Sequence, residues 1–194
     1  MSRIIRIRNL NIGQGRPKIC ALVIGEKAED ILQLAEMSNT VGCDMIELRI
    51  DHFESVLEPD KVKSLLRKVR RTAKKPMIFT FRRKEEGGKI ATTLNYYKEL
   101  LTMVADNGLA DLIDVEASAI EQDAGFVDSL KERDAYVIIS KHDFQKTPDE
   151  EELFNTMLGM EQMGADIVKV AYMPNCKKDV LNLINATTNF AGKY

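Results

Sequence analysis

A lysine inside one apolar run and a histidine closing the run before it are the two residues here best suited to covalent and proton-transfer chemistry. Lys169 sits in Ile-Val-Lys-Val-Ala, residues 167–171. Flanking valines mark a core strand, where desolvation disfavours an ammonium, and a nearby cation such as Arg82 disfavours it further. Both effects lower the pKa of Lys169 and raise its fraction of neutral amine. A neutral amine attacks a ketone to form a Schiff base, and the iminium makes the adjacent C–H more acidic. His142 ends the run Tyr136–His142, and an imidazole passes protons both ways near neutrality. Glu86-Gly87-Gly88 follows Arg82. Its glycines let the loop fold back, so that the carboxylate can orient His142 through its second nitrogen. Each feature also has a plainer reading. Lys169 can be permanently paired with Glu47 or Glu116, His142 can be a hydrogen-bonded structural residue, and the glycine loop can be a charged flexible connection.

The elements that must position these residues follow from periodicity. Short runs rich in Ile, Val and Phe alternate with longer stretches at helical spacing. The runs are Lys18–Ile24, Asp44–Ile50, Pro76–Phe81, Leu112–Glu116, Tyr136–His142 and Ile167–Tyr172. Pro59 opens a helix carrying Val62, Leu65, Leu66 and Val69 on one face. Leu94, Tyr97, Leu101 and Val104 repeat the pattern, with Gly108 placed to end that helix. Thr147-Pro148-Asp149-Glu150 reads as a capping box with proline at the first helical position, and Gly42 reads as the end of the first helix. Ile4–Ile12 alternates apolar and charged residues, which predicts an N-terminal hairpin over about residues 4–15. Residues 1–194 read as one domain.

Side chains alternate faces along a strand. Glu47, Arg49 and Asp51 oppose Ile46, Leu48 and Ile50; Thr80 and Arg82 oppose Phe79 and Phe81; Asp114 and Glu116 oppose Ile113 and Val115. Ser140 and His142 oppose Val137 and Ile139, and Lys169 opposes Val168 and Val170. An open, doubly covered parallel sheet would be apolar on both faces. Charges confined to one face, toward strand C-termini, need a common interior, which a TIM (β/α)8-type barrel supplies at its C-terminal mouth. About six β/α units are present. Burying so many charges costs several kcal/mol per unpaired ion, so Glu47, Arg49, Asp51, Arg82, Asp114, Glu116 and Lys169 must pair among themselves. A purely structural ion-pair network remains the alternative for any one of them.

Composition narrows the function classes. The formal net charge of −2 argues against a nucleic-acid or anionic-membrane binder. No apolar run reaches the roughly 20 residues that span a bilayer. The N-terminus lacks the apolar core of a signal peptide. Three cysteines, Cys20, Cys43 and Cys176, are widely spaced without a CxxC pair, which fits a reducing cytoplasmic compartment and gives no zinc site. No GxGxxG follows the first strand, so a dinucleotide-binding unit is poorly supported.

The chain resembles type I 3-dehydroquinate dehydratases. The resemblance lies in residues 8–15, 17–20, Ile-Glu-Leu-Arg-Ile-Asp-His-Phe at 46–53, Phe-Thr-Phe-Arg at 79–82 with 86–88, Ser-Lys-His-Asp-Phe at 140–144, and Gly-Ala-Asp-Ile-Val-Lys-Val-Ala at 164–171 followed by Met173-Pro174. It implies a lyase of the shikimate pathway, converting 3-dehydroquinate to 3-dehydroshikimate. Lys169 would form an imine with the C3 ketone. His142 would take the C2 proton and then protonate the departing C1 hydroxyl, and Glu86 would hold His142. Glu47, Arg49 and Arg82 would contact substrate hydroxyls. The resemblance implies no metal and no cofactor, a small-molecule substrate and a homodimer. Ala21 stands where the family often has a serine near the substrate. The sequence ends at Tyr194, after the sixth helix, whereas a full barrel takes roughly 250 residues. The expectation is therefore a barrel lacking its seventh and eighth units, which in the family supply an arginine and a lid loop. The rival readings are another Schiff-base lyase of class I aldolase type and a truncated non-catalytic scaffold.

Overall fold

The computed structural model describes residues 4–121, 123 and 125–193; residues 1–3, 122, 124 and 194, including the two ends of the expected domain, lie outside that description. The first two strands, β1 (Ile5–Ile7) and β2 (Leu10–Ile12), form an antiparallel hairpin. Six further strands follow: β3 (Cys20–Val23), β4 (Met45–Arg49), β5 (Met77–Thr80), β6 (Leu112–Glu116), β7 (Tyr136–Asp143) and β8 (Ile167–Tyr172). They pair in parallel and in sequence order, β3 to β8. Between them lie α1 (Ala28–Met37), α2 (Pro59–Thr72), α3 (Leu94–Asp106), the short α4 (Ala117–Ile120) and α5 (Gly125–Lys131), and α6 (Glu150–Gln162), with α7 (Lys177–Lys193) last.

The sheet is curled. Lys169 on β8 donates to Glu47 on β4 at 2.9 Å, although those strands lie four steps apart in the sheet. In a flat sheet four steps span about 19 Å, beyond the combined reach of the two side chains. The arrangement is the barrel architecture expected from strand parity, with β3 and β8 at the two edges of the sheet among the described residues.

Parity sorts the residues as the sequence predicts. Ile46, Leu48, Phe79, Phe81, Ile113, Val115, Val137 and Ile139 are buried against the helical layer. The α2 face of Val62, Leu65, Leu66 and Val69 seals the same core, each side chain contributing about 1.5–3 kcal/mol on burial. On the interior face, Met45, Ile78, Leu112 and Ile138 make an apolar floor, closed from below by Ile5 and Ile7 of the hairpin. The hairpin turn places Arg8 at φ +52, where its guanidinium reaches Asp111 and the carbonyl oxygens of Lys74 and Lys75.

Three local expectations need correction. The first helix ends at Ser38, whose hydroxyl donates to Ala35 O; Gly42 lies in the loop beyond. The cap of α6 is Asp149, which accepts from Glu152 N, while Thr147 donates instead to Met173 O. A carboxylate directly before the helix satisfies the free N–H of its third residue, so the threonine is released to a tertiary contact. Ala21 packs against the helical core, so it does not face the interior. The interior positions on β3 are Cys20 and Leu22, in register with Met45 and Glu47.

Candidate active site

Above the apolar floor the interior turns polar in two tiers. The lower tier is Glu47, Thr80, Asp114, Ser140 and Lys169, one residue from each of β4 to β8, joined by side-chain hydrogen bonds; in strand register Thr80 meets Asp114 and Ser140 meets Lys169. The upper tier holds Arg49, Arg82, Glu116, His142 and Ala171. Small Ala171 sits in register with His142 and directly after the step that carries Lys169, leaving space over the amine. His142 and Lys169 are thus diagonal neighbours on adjacent strands, about 7 Å apart at the backbone.

Lys169 is held by two carboxylates, Glu47 Oε1 at 2.9 Å and Asp114 Oδ2 at 3.3 Å. Burial favours the neutral amine, but Asp114 and Glu47 outweigh it and raise the pKa of Lys169 above the usual lysine range. This reverses the sequence expectation of a depressed pKa. The strand pattern reveals burial and the distant Arg82, but not two carboxylates meeting the amine across the barrel. The partners also differ: Asp114, not Glu116, accompanies Glu47. Held between these carboxylates, Lys169 is an ammonium and must lose a proton before it can attack a carbonyl.

Arg82 organises the carboxylates. It is 3% exposed and donates to Asp114 Oδ1, Glu116 Oε1 and Ser140 Oγ. Ser140 in turn donates to Asp114 Oδ1 at 2.7 Å. Burial pushes the Asp114 carboxyl upward, yet Arg82, Lys169 and the Ser140 hydroxyl bring it below the ordinary value. Glu116 goes the other way: burial and neighbouring Glu86 raise it despite Arg82 and Arg83. Arg82→Ala would strand Asp114 and Glu116 beside each other. We expect it to lower folding stability by about 3–5 kcal/mol, read from chemical denaturation curves. A loss under about 1 kcal/mol would show that water replaces the guanidinium.

His142 is held from outside the sheet. After β5 the chain makes a single 3-10 turn, Lys84–Glu86, ended by Gly87 at φ +83. A Cβ on Gly88 would overlap the Arg82 carbonyl oxygen, and one on Gly87 would meet the Phe144 ring at 2.5 Å. Glycine at both positions lets the turn lie flat across the mouth and bring Glu86 inward. There Glu86 Oε2 accepts from His142 Nδ1 at 2.9 Å. With the proton on Nδ1, Nε2 is the free base. Phe144 stacks on the imidazole, ring centroids 6.3 Å apart.

The remaining candidates divide by how committed they are. Glu47 Oε1 also accepts from Thr80 Oγ1 at 2.7 Å. Arg49 is paired through Nε and Nη2 to buried Asp51. The structure thus gathers Lys169, Glu47 and Arg82 into one network, and Arg82 links it to Glu86 and His142 through an ion pair with Glu86 Oε2 at 3.8 Å. Sequence reasoning gave no individual role to Asp114 or Ser140, though Asp114 shares the parity of Glu116 and was open to detection. It gave none to Ser118 either, whose position after the strand carries no pattern. Among the described residues, no cluster of His, Cys, Asp and Glu is arranged to hold a metal ion.

Comparison with known proteins places the chain in a family and agrees with its fold. The family described as Type I 3-dehydroquinase matches residues 19–194. The 3-dehydroquinate dehydratase of Clostridium botulinum is 42% identical across the whole chain, which covers 77% of that protein. The enzyme of Clostridioides difficile is 40% identical with the same coverage. A crystal structure of the type I enzyme from Clostridium difficile, covalently modified with comenic acid, superposes with a TM-score of 0.94 at 40% identity, over 97% of this chain and 76% of that one. The Geobacillus kaustophilus enzyme gives 0.95 at 33% identity, over 100% of this chain and 77% of that one. The chain therefore spans about three-quarters of the length of these relatives. A putative deoxyribose-phosphate aldolase from Toxoplasma gondii, 13% identical with a TM-score of 0.59, shares the fold alone, so nothing beyond barrel architecture favours the aldolase reading.

Proposed function

The chain belongs to the type I 3-dehydroquinase family, and on that premise we propose that Lys169 is its Schiff-base lysine, with His142 as proton shuttle and Glu86 as the group that orients it. The reaction of the enzyme, a lyase, is the dehydration of 3-dehydroquinate to 3-dehydroshikimate through a lysine Schiff base, in the shikimate pathway.

The observation that carries the assignment is the diagonal placement of one amine and one Nε2-basic imidazole on adjacent strands. The Lys169 ammonium first gives up a proton. Its amine adds to C3, and loss of water leaves an iminium. His142 Nε2 takes the C2 proton, and the electron pair moves into the enamine. The same imidazolium then protonates the C1 hydroxyl, which leaves as water. Hydrolysis of the iminium frees the product and restores the lysine. Glu47, Arg49 and Arg82 line the site and contact substrate hydroxyls, and Arg82 also fixes Asp114, Glu116 and Ser140.

A single barrel domain, a cytoplasmic location and a homodimer belong to the same proposal. All three cysteines are free, which suits a reducing compartment, and no described helix is long and apolar enough to cross a membrane.

Borohydride reduction during turnover tests the assignment. We expect a stable adduct on Lys169, located by peptide mass mapping. An adduct on another lysine would overturn it.

A further inference from the structure

We infer that Ser118 is a positioning residue for proton transfer, holding the Glu86 carboxylate in the orientation that His142 requires. This deepens the proposed function and rests on its assignment of His142 as the shuttle.

Glu86 is buried, its two oxygens accept from different donors, and Arg82 Nη1 lies 3.8 Å from Oε2 as an ion-pair partner. Oε2 accepts from His142 Nδ1 at 2.9 Å, and Oε1 accepts from Ser118 Oγ at 2.6 Å. Two donors at opposite oxygens fix both the position and the plane of a carboxylate, which one donor cannot do. Ser118 lies immediately beyond β6, at the second position of the short helix α4. It reaches a loop that follows β5, so the contact crosses between two strand-to-helix connections.

The direction of the Ser118 hydroxyl is itself determined. Arg83 Nη2 donates to Ser118 Oγ at 2.8 Å. A hydroxyl has one hydrogen; with a guanidinium on its acceptor side, that hydrogen points to Glu86. Arg83 is in turn anchored. Its Nε donates to Glu116 Oε2 at 2.6 Å and its backbone N–H to Glu116 Oε1 at 2.8 Å. Its guanidinium lies 5.4 Å over the ring of buried Tyr97, whose hydroxyl accepts from the Glu116 N–H at 3.0 Å. The order Tyr97, Glu116, Arg83, Ser118, Glu86, His142 thus runs from the helical core to the imidazole. Ser140 repeats the device deeper in the barrel, taking a bond from Arg82 and giving one to Asp114.

Without the serine, Glu86 keeps its bond to His142 but can rotate about it, and the imidazole is no longer held in the orientation that proton transfer requires.

Ser118→Ala and Ser118→Thr in the full chain test this. For Ser118→Ala we expect kcat to fall about tenfold, the lower end of what a hydrogen bond to a charged group is worth. Binding of 3-dehydroquinate and the borohydride-trapped Lys169 adduct should be unchanged, so that the loss falls on kcat alone. Ser118→Thr, which keeps the hydroxyl, should restore kcat. An alanine variant with unchanged kcat overturns the inference. So does a loss that threonine fails to rescue while the thermal midpoint stays at the parent value. Absence of the adduct in the parent protein would instead count against the function on which the inference rests.

Discussion

Alanine at His142 is expected to cut turnover about a thousandfold, within the range of 10²–10⁴ ascribed to general acid–base catalysis, while the Lys169 adduct still forms. The two steps separate because the two groups have different immediate partners and different tasks. Lys169 is bonded to Glu47 and Asp114, and His142 to Glu86. Imine formation uses the amine and the substrate ketone. The later transfers, from C2 and to the C1 oxygen, both need Nε2 of one imidazole, so its removal slows them together. Single-turnover trapping with borohydride, set beside steady-state turnover, reads the two separately. If trapping and turnover fell by the same factor, His142 would be a structural residue at the mouth, and the shuttle assignment would fail.

Alanine at Lys169 is expected to abolish trapping and to lower activity by at least about 10⁴-fold, the scale of removing a covalent nucleophile. It should also change stability in a pH-dependent way. In the parent protein the folded pKa of Lys169 is raised above its unfolded value. Its contribution is therefore complete below the ordinary lysine value and is lost as pH rises through the folded one, in the alkaline range. The folded pKa of Asp114 is depressed, so its contribution is present above the ordinary carboxylate value and is lost as pH falls through the folded one. Removing the ammonium leaves Glu47 and Asp114 facing each other without it. At neutral pH we expect a deficit of about 1–3 kcal/mol, less than for a fully buried pair because the lysine is partly screened by solvent. The deficit should narrow in acid, where protonation relieves the two carboxylates. Denaturation curves at neutral and acid pH measure it; a constant deficit would mean that the ammonium is not what offsets those charges.

Much of this protein is legible one residue at a time. Strand parity alone separates Ile46 and Leu48 from Glu47 and Arg49, because a pleated backbone sends neighbours to opposite faces whatever lies beyond. The same logic places Lys169 inside and Val168 and Val170 outside. The α2 helix follows from Pro59 and four apolar residues at helical spacing, both local signals. The glycines at 87 and 88 announce a tight turn.

What the sequence could not decide is who meets whom across the interior. Lys169 and Glu47 are 122 positions apart, and their contact exists only because the sheet curls. That closure reverses the pKa of the lysine, since two carboxylates outweigh the desolvation that the strand implies. Ala21 and Leu22 exchange roles for the same kind of reason: which of two adjacent side chains faces the site depends on the register of β3 against Glu47. Ser118 is the extreme case, an unremarkable residue after a strand whose part in the site comes wholly from Arg83 and Glu86 arriving from another loop. Local pattern determines which face a side chain occupies, because it depends on bonds to its neighbours. Protonation state and orientation depend on distance through space, and only the folded barrel sets those distances.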